Sequence, residues 1–306
     1  MSSSGITKAG IVALVGPANA GKSTLLNTII EDKVAIVSSR PHTTRHKVLG
    51  IKTASETQIV FVDTPGFAQS LRDGGLKHHL LHIQQDAAAG VDALVLVLDA
   101  QSLHKQGEIN PLKELTQNNI AKPQIVVLNK IDLLSKDEIL PLIKKVADYF
   151  AANTDLRPEI IPLSAKKNDN VAELIKTLEK LIPQGEFLYP IDQLTDQAEH
   201  FFIAELIREQ VFLRMRQEIP YSVAVLVDDI RDTPKIMHVF ATIYVEKPNQ
   251  KSIIIGSHGR ALKAIGIAAR SEIEKCYEIQ VNLKLHVKVE EHWSLTDKGL
   301  KKVGFY

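Results

Sequence analysis

Hydrophobic and polar positions alternate in two different ways along this chain. Up to about residue 180, short β-branched apolar runs are separated by stretches with helical spacing. Ile11–Val15, Gln58–Val62, Ala93–Leu98, Gln124–Leu128 and Glu159–Leu163 read as strands, and Ser23–Ile30, Lys136–Phe150 and Val171–Leu181 as helices. Ala93–Leu98 is apolar throughout, the mark of a strand covered on both faces. Strand–helix alternation of this kind predicts an α/β domain with a mixed, mostly parallel sheet and helices on both sides. A further strand around Ile51 should lie beside Gln58–Val62, joined by a turn near Ser55.

The pattern changes after Ile182-Pro183-Gln184-Gly185, and Tyr189-Pro190 continues the break. Asp196 with Glu199 reads as a capping pair opening a helix, with Ile203, Leu206, Ile207 and Leu213 on one stripe. Tyr221–Val227 and Met237–Val245 read as strands, the second with strict alternation. Arg260–Tyr277 reads as a helix and Gln280–Val289 as a final strand. Periodicity alone makes Ile253–Ile255 a strand. The expected organisation is an α/β domain over 7–182, a linker over 183–195 and a smaller α+β domain over 196–306.

Composition narrows the class. Hydrophobic residues make up 44% and charged residues 24% of 306 positions, ordinary for a globular protein. The net charge of +1 excludes a polycation that coats nucleic acid wholesale. The charge is uneven, however: residues 247–306 hold eleven Lys/Arg against six Asp/Glu, so this end is the place for a polyanion. Cys276 is the single cysteine, so no intrachain disulfide forms and a reducing compartment is expected; it reads as a buried helix residue. No apolar run approaches the roughly 20 residues of a membrane span. The expectation is a cytoplasmic protein, with peripheral contact at the inner face of the cell membrane left open.

Gly16-Pro17-Ala18-Asn19-Ala20-Gly21-Lys22-Ser23 fits G-x-x-x-x-G-K-[ST], after a predicted strand and opening a helix that begins with Thr24. Backbone N–H groups of such a loop curl round phosphate oxygens, aided by the helix N-terminus. Lys22 would reach the β/γ-phosphates and the Ser23 hydroxyl would hold Mg²⁺. Three later segments point to guanine. Asp63-Thr64-Pro65-Gly66 follows a strand; Asp63 can reach a water on Mg²⁺ and the Gly66 amide can bond the γ-phosphate. In Asn129-Lys130-Ile131-Asp132, Asp132 can accept two hydrogen bonds from guanine N1 and N2, which adenine would leave unpaired. Asn129 would bind the base edge and the Lys130 stem would pack on its face. Ser164-Ala165-Lys166 can offer a backbone N–H to the guanine oxygen. Catalysis of GTP hydrolysis is assigned to Lys22 and Gly66, metal holding to Ser23 and Asp63.

Together these motifs resemble those of translation-factor-class GTPases, and His42-Thr43-Thr44-Arg45-His46 resembles the T-T-R switch of the Era family of ribosome-assembly GTPases. That resemblance implies that Thr44 closes on Mg²⁺ when GTP is bound. Phe67 follows D-T-P-G, where a Ras-like enzyme carries a water-orienting glutamine, so slow intrinsic turnover is expected. Asn19 resembles the asparagine with which GTPases lacking that glutamine hold K⁺.

Lys251-Ser252-Ile253-Ile254-Ile255-Gly256-Ser257-His258-Gly259-Arg260 and the helix after it resemble the I-I-G-x-x-G core of a KH type II domain, whose loop clamps a single-stranded backbone of about four nucleotides. The resemblance places Ile253–Ile255 at the end of a helix instead. Lys251, Gly256, Ser257, His258, Gly259, Arg260, Lys263 and Arg270 are the expected RNA contacts. The family's G-x-x-G usually carries a lysine where this chain has Ser257-His258. Tyr189-Pro190, Pro220-Tyr221-Ser222, Trp293 and Gly304-Phe305-Tyr306 extend the likeness over nearly the whole chain. It implies a monomeric GTPase that exchanges GTP and GDP, binds the single-stranded 3′ end of small-subunit (16S-type) rRNA, and acts on the small ribosomal subunit in assembly and rRNA maturation. The alternative is a KH adaptor whose G domain senses GTP and GDP with little hydrolysis.

Overall fold

The computed structural model describes residues 7–38, 40, 43–66, 74–106 and 123–305. They form two compact units. The first takes in the described parts of Met1–Ala35, Thr44–Ala68 and Leu80–Asp196, the second those of Ile36–Thr43, Gln69–His79 and Gln197–Tyr306.

Six strands build the sheet of the first unit: β1 (Lys8–Val15), β2 (Val48–Ala54), β3 (Thr57–Asp63), β4 (Ala93–Asp99), β5 (Ile125–Asn129) and β6 (Glu159–Pro162). Their order is β2-β3-β1-β4-β5-β6, with only β2 antiparallel to its neighbour. Leu25, Ile29, Leu174 and Leu178, from α1 (Lys22–Ile30) and a helix over Val171–Leu181, cover one face. Leu142, Val146 and Phe150 from a helix over Lys136–Asn153 cover the other. Ala93 through Leu98 are therefore at most 1% exposed, and the all-apolar run follows from burial on both sides.

The stretch after Ile182 is stitched to this sheet rather than free. Gln58 on β3 is fully buried, and its carboxamide is saturated. Nε2 donates to Thr53 Oγ1 and to the Tyr189 carbonyl at 3.0 and 2.9 Å, and Oε1 accepts from the N–H groups of Leu188 and Tyr189 at 2.8 and 2.9 Å. The Ile51 N–H then donates to the Leu194 carbonyl (2.8 Å), and Thr195 Oγ1 to the Leu49 carbonyl (2.7 Å). Residues 188–195 thus lie along the outer edge of β2.

In the second unit, β7 (Val223–Asp232), β8 (Ile236–Val245) and β9 (Gln280–Val289) form a sheet with β7 antiparallel and β9 parallel to β8. Three helices, Glu199–Arg214, Pro248–Ile255 and Arg260–Tyr277, pack on the face carrying Val239, Ala241, Ile243, Val281 and Val287. Five expectations change here. Asp196 and Glu199 make no cap: Ala198 holds the N-cap and the helix starts at Glu199, because Thr195 is still held at the β2 edge. Leu213 is 51% exposed, and instead Ile203 through Phe212 are all buried. The back of this helix meets Ile36, Val37 and Thr43: Ile36 is buried in the same core, Glu209 Oε1 accepts from the Val37 N–H (2.9 Å), and Arg208, paired with Glu205, donates to the Thr43 carbonyl. Tyr221 and Ser222 belong to a 3₁₀ turn, and β7 runs on to Asp232 past a bulge at Val227/Asp229. Ile253–Ile255 close a helix, as the KH resemblance implied and periodicity did not. Cys276 is exposed, on the outer side of its helix.

Replacing Gln58 with leucine would leave three partly buried backbone groups of Leu188 and Tyr189 without their protein partners. At about 1 kcal/mol or more each, a loss of about 3 kcal/mol in urea unfolding is expected. Amide exchange should speed up over 186–195; unchanged protection there would show that Gln58 does not hold this segment.

Candidate functional site

The loop Gly16–Ser23 joins β1 to α1 at the carboxyl ends of the central strands. Gly21 sits at φ 91°, and a Cβ there would come within 2.3 Å of Asn129 Nδ2, so only glycine fits. Lys22 is 5% exposed and curls back, its Nζ donating to the carbonyls of Gly16 and Pro17 at 2.9 and 2.8 Å. Burial pulls its pKa down to about 8, opposed by the Asp63 charge. Burial pushes Asp63 up to about 6, opposed chiefly by Lys22.

Ser23, Thr44 and Asp63 converge. Ser23 Oγ lies 2.9 Å from Thr44 Oγ1 and donates to Asp63 Oδ2 at 2.5 Å. Asp63 is fully buried and its Oδ1 has no hydrogen-bond partner. A cluster of hydroxyl and carboxylate oxygens with one orphaned buried oxygen fits a hard cation such as Mg²⁺. Thr64 Oγ1 donates to the Leu14 carbonyl (2.9 Å), fixing the turn after β3, and Gly66 lies against Ala18, where a Cβ would fall 2.5 Å from its backbone. Phe67, His42 and Tyr306 lie outside the described residues.

The base-side residues form a second knot. Asn129 is 2% exposed and spans three loops: Nδ2 donates to the Ala20 carbonyl (2.9 Å), and Oδ1 accepts from the N–H groups of Lys130 (2.8 Å) and Ala165 (3.0 Å). These bonds tie together the phosphate loop, the Asn129-Lys130-Ile131-Asp132 segment and the Ser164-Ala165-Lys166 turn. Lys130, at φ 67°, pairs through Nζ with Asp99 Oδ2 (2.6 Å). Asp132 is exposed, with Oδ1 accepting from Ser164 Oγ at 2.6 Å. Ile131 is half-buried and Lys166 exposed. Asp99 and Thr28, which bonds the Ala165 carbonyl at 2.9 Å, were not singled out from the sequence; no local motif marks them.

In the second unit, Gly256 and Gly259 take φ 71° and 72° and His258 φ 52°, turning the chain between two helices. Ser257, His258, Arg260, Lys263 and Arg270 are exposed and Lys251 is half-buried. An open groove of about 540 Å³ runs from Gly259 past Lys263 and Arg270 to Asn282, Leu283 and Leu285 on β9. Its floor is apolar and its rim cationic, which suits bases and phosphates of a single strand.

Comparisons with known proteins agree with this layout. Residues 11–130 match a family described as 50S ribosome-binding GTPase, and residues 218–294 match the KH domain family. The chain is 38% identical to GTPase Era of Coxiella burnetii strains RSA 331 and Dugway over 301 residues, covering 98% of both chains. It superposes with a TM-score of 0.90, at 37% identity and covering 98% of this chain and 99% of the other, on an Aquifex aeolicus Era variant bound to GDP·AlF4⁻. The same values hold for Era in complex with MgGDPNP and nucleotides 1506–1542 of 16S ribosomal RNA.

Asn129→Asp would set a buried carboxylate oxygen against the Ala20 carbonyl. A loss of about 2–3 kcal/mol is expected for the nucleotide-free protein, read as a lower urea midpoint by circular dichroism. An unchanged midpoint would mean that the three loops are held by other contacts.

Proposed function

This chain belongs to the Era family of GTPases, and we propose that its first unit binds and hydrolyses GTP at the strand ends just described while its second unit binds the single-stranded 3′ end of small-subunit rRNA. The observation that carries the reading is that the Gly16–Ser23 loop meets Asn129-Lys130-Ile131-Asp132 and Ser164-Ala165-Lys166 through the buried Asn129 carboxamide, and meets Asp63-Thr64-Pro65-Gly66 through Ser23 and Ala18. In this reading 7–182 is the GTPase domain, 183–195 the linker and 196–306 the KH type II domain. The protein acts as a monomer in the cytoplasm, with peripheral contact at the membrane, in assembly of the small ribosomal subunit.

Each residue then has a task. The N–H groups from Ala18 to Thr24 surround the phosphates, helped by the positive end of α1. Lys22 gives up its two carbonyl partners for β/γ-phosphate oxygens, where it offsets charge that develops on transfer. Ser23, Thr44 and, through a water, Asp63 would hold Mg²⁺. The ion neutralises the β- and γ-oxygens. Thr64 and Pro65 set the turn that aims the Gly66 amide at the γ-phosphate. On the base side, Asp132 accepts from N1 and N2, the Lys130 stem lies on the ring with its head fixed by Asp99, and the Ala165 backbone faces the guanine oxygen. Asn19, at φ 64°, is the residue for K⁺, and K⁺ stimulation of turnover belongs to this reading.

Asp132→Asn exchanges a pair of acceptors for a donor and an acceptor. GTP affinity should fall by a factor on the order of 10² or more, and xanthosine triphosphate should bind in its place. Equal GTP affinity in the two proteins would remove Asp132 from base recognition.

On the RNA side, Ser257→Asp/His258→Asp places two negative charges where phosphates should pass. Affinity for a single strand carrying the small-subunit rRNA 3′ end should drop at least tenfold in a filter-binding titration, with GTP binding intact. Undiminished binding would assign the loop to an ordinary turn.

A further inference from the structure

The groove is bordered by β9, the edge strand of the second unit's sheet. The inward positions of β9 pack on the helices, and its outward positions alternate with them. Asn282, Lys284, His286 and Lys288 are all exposed and, by the two-residue period of a strand, stand on the opposite face of the sheet. This face carries an aromatic ring between two cations. Phe240 lies opposite Lys284 in the β8–β9 register. The Lys284 Nζ is 5.3 Å and the Arg231 Cζ 5.4 Å from its ring centroid. Such contacts hold long cationic side chains in fewer conformations, which lowers the entropy cost of a second contact.

Not all the charge here is available. Arg231 is paired with Asp229 at 2.6 Å, and Asp228 accepts from Thr242 at 2.7 Å. Lys284 and Lys288 have no carboxylate in ion-pair range among the described residues. They stand four residues apart on one straight strand, about 13 Å, beside the groove that holds Asn282.

We propose that this open face is a second RNA contact. A strand seated in the groove continues over the β9 edge, and Lys284 and Lys288, with His286 and Asn282 between and beside them, take the phosphates of the nucleotides that flank the groove-bound ones. The occupant is RNA because the free charge is cationic, the polar side chains alternate with groove-lining ones on the same strand, and the two surfaces are continuous at Asn282. The inference rests on the reading of the second unit as an RNA-binding domain.

Two RNAs of the same core sequence separate the two surfaces: one of about six nucleotides, close to what a KH groove clamps, and one of about 20 that extends beyond it on both sides. Fluorescence anisotropy of the full chain gives both affinities. For Lys284→Glu/Lys288→Glu, binding of the long RNA should weaken at least tenfold. The slope of log K against log salt should shrink by about 1.4, two phosphates at about 0.7 each, while the short RNA binds as before and so also reports an intact fold. Unchanged binding of the long RNA overturns the proposal, and so does equal weakening of both RNAs, which would make the lysines part of the groove. A short RNA that fails to bind even the unaltered protein would overturn the groove reading instead, with the long RNA still reporting on the sheet face.

Discussion

A nucleotide site assembled from separated strand ends needs something to hold those ends at one spacing, and here the buried Asn129 carboxamide does so for three of its loops. Its three hydrogen bonds join the phosphate loop at Ala20, its own loop at Lys130 and the Ser164-Ala165-Lys166 turn. Glycine at position 21 is part of the same constraint, because any Cβ there would occupy the space that the Asn129 amide fills. The demand of this carboxamide for full hydrogen bonding in a dry environment makes the junction of these loops rigid.

The electrostatics of the site complement this rigidity. Lys22 and Asp63 are both buried, and burial moves both toward neutrality, to about 8 and about 6. Each is the other's main counter-charge. The protein by itself thus holds one cation and one anion at a cost. A phosphate chain and a hard divalent ion bring the opposite charges to the two places where they are missing. The orphaned Asp63 Oδ1 is the clearest local sign of that incompleteness.

What the sequence disclosed was whatever depends on neighbours close in the chain. The strands, the phosphate loop, the helix over Arg260–Tyr277 and the last strand over Gln280–Val289 lie where hydrophobic period and glycine placement put them. The failures share a physical cause. The burial of Glu205, Arg208 and Glu209 on the helix over Glu199–Arg214 goes with contacts to Val37 and Thr43, some 165 residues earlier, and no stripe along the helix encodes that. Ser164 bonding Asp132, Thr28 bonding the Ala165 carbonyl and Asp99 bonding Lys130 are likewise long-range pairs of ordinary surface residue types. The three protein partners of Asn129 are equally invisible in the motif, which names residues and not the loops they join. Cys276 read as buried because cysteine usually is; its position on the outer side of a helix is set by the helix's neighbours.

The stitching of 188–195 along β2 has a consequence for the growing chain. β2 is an edge strand, with backbone N–H and C=O groups on its outer side that can template pairing with another chain. In the finished protein Ile51 and Leu49 are engaged by Leu194 and Thr195, and Gln58 anchors the approach. During synthesis the sheet can form as soon as β1 through β6 have left the ribosome, but its edge stays bare until residue 195 has followed. The interval between completing the sheet and covering its border is therefore the period in which neighbouring nascent chains on one messenger can join edge to edge, and substitutions that delay this closure act on yield rather than on the finished enzyme.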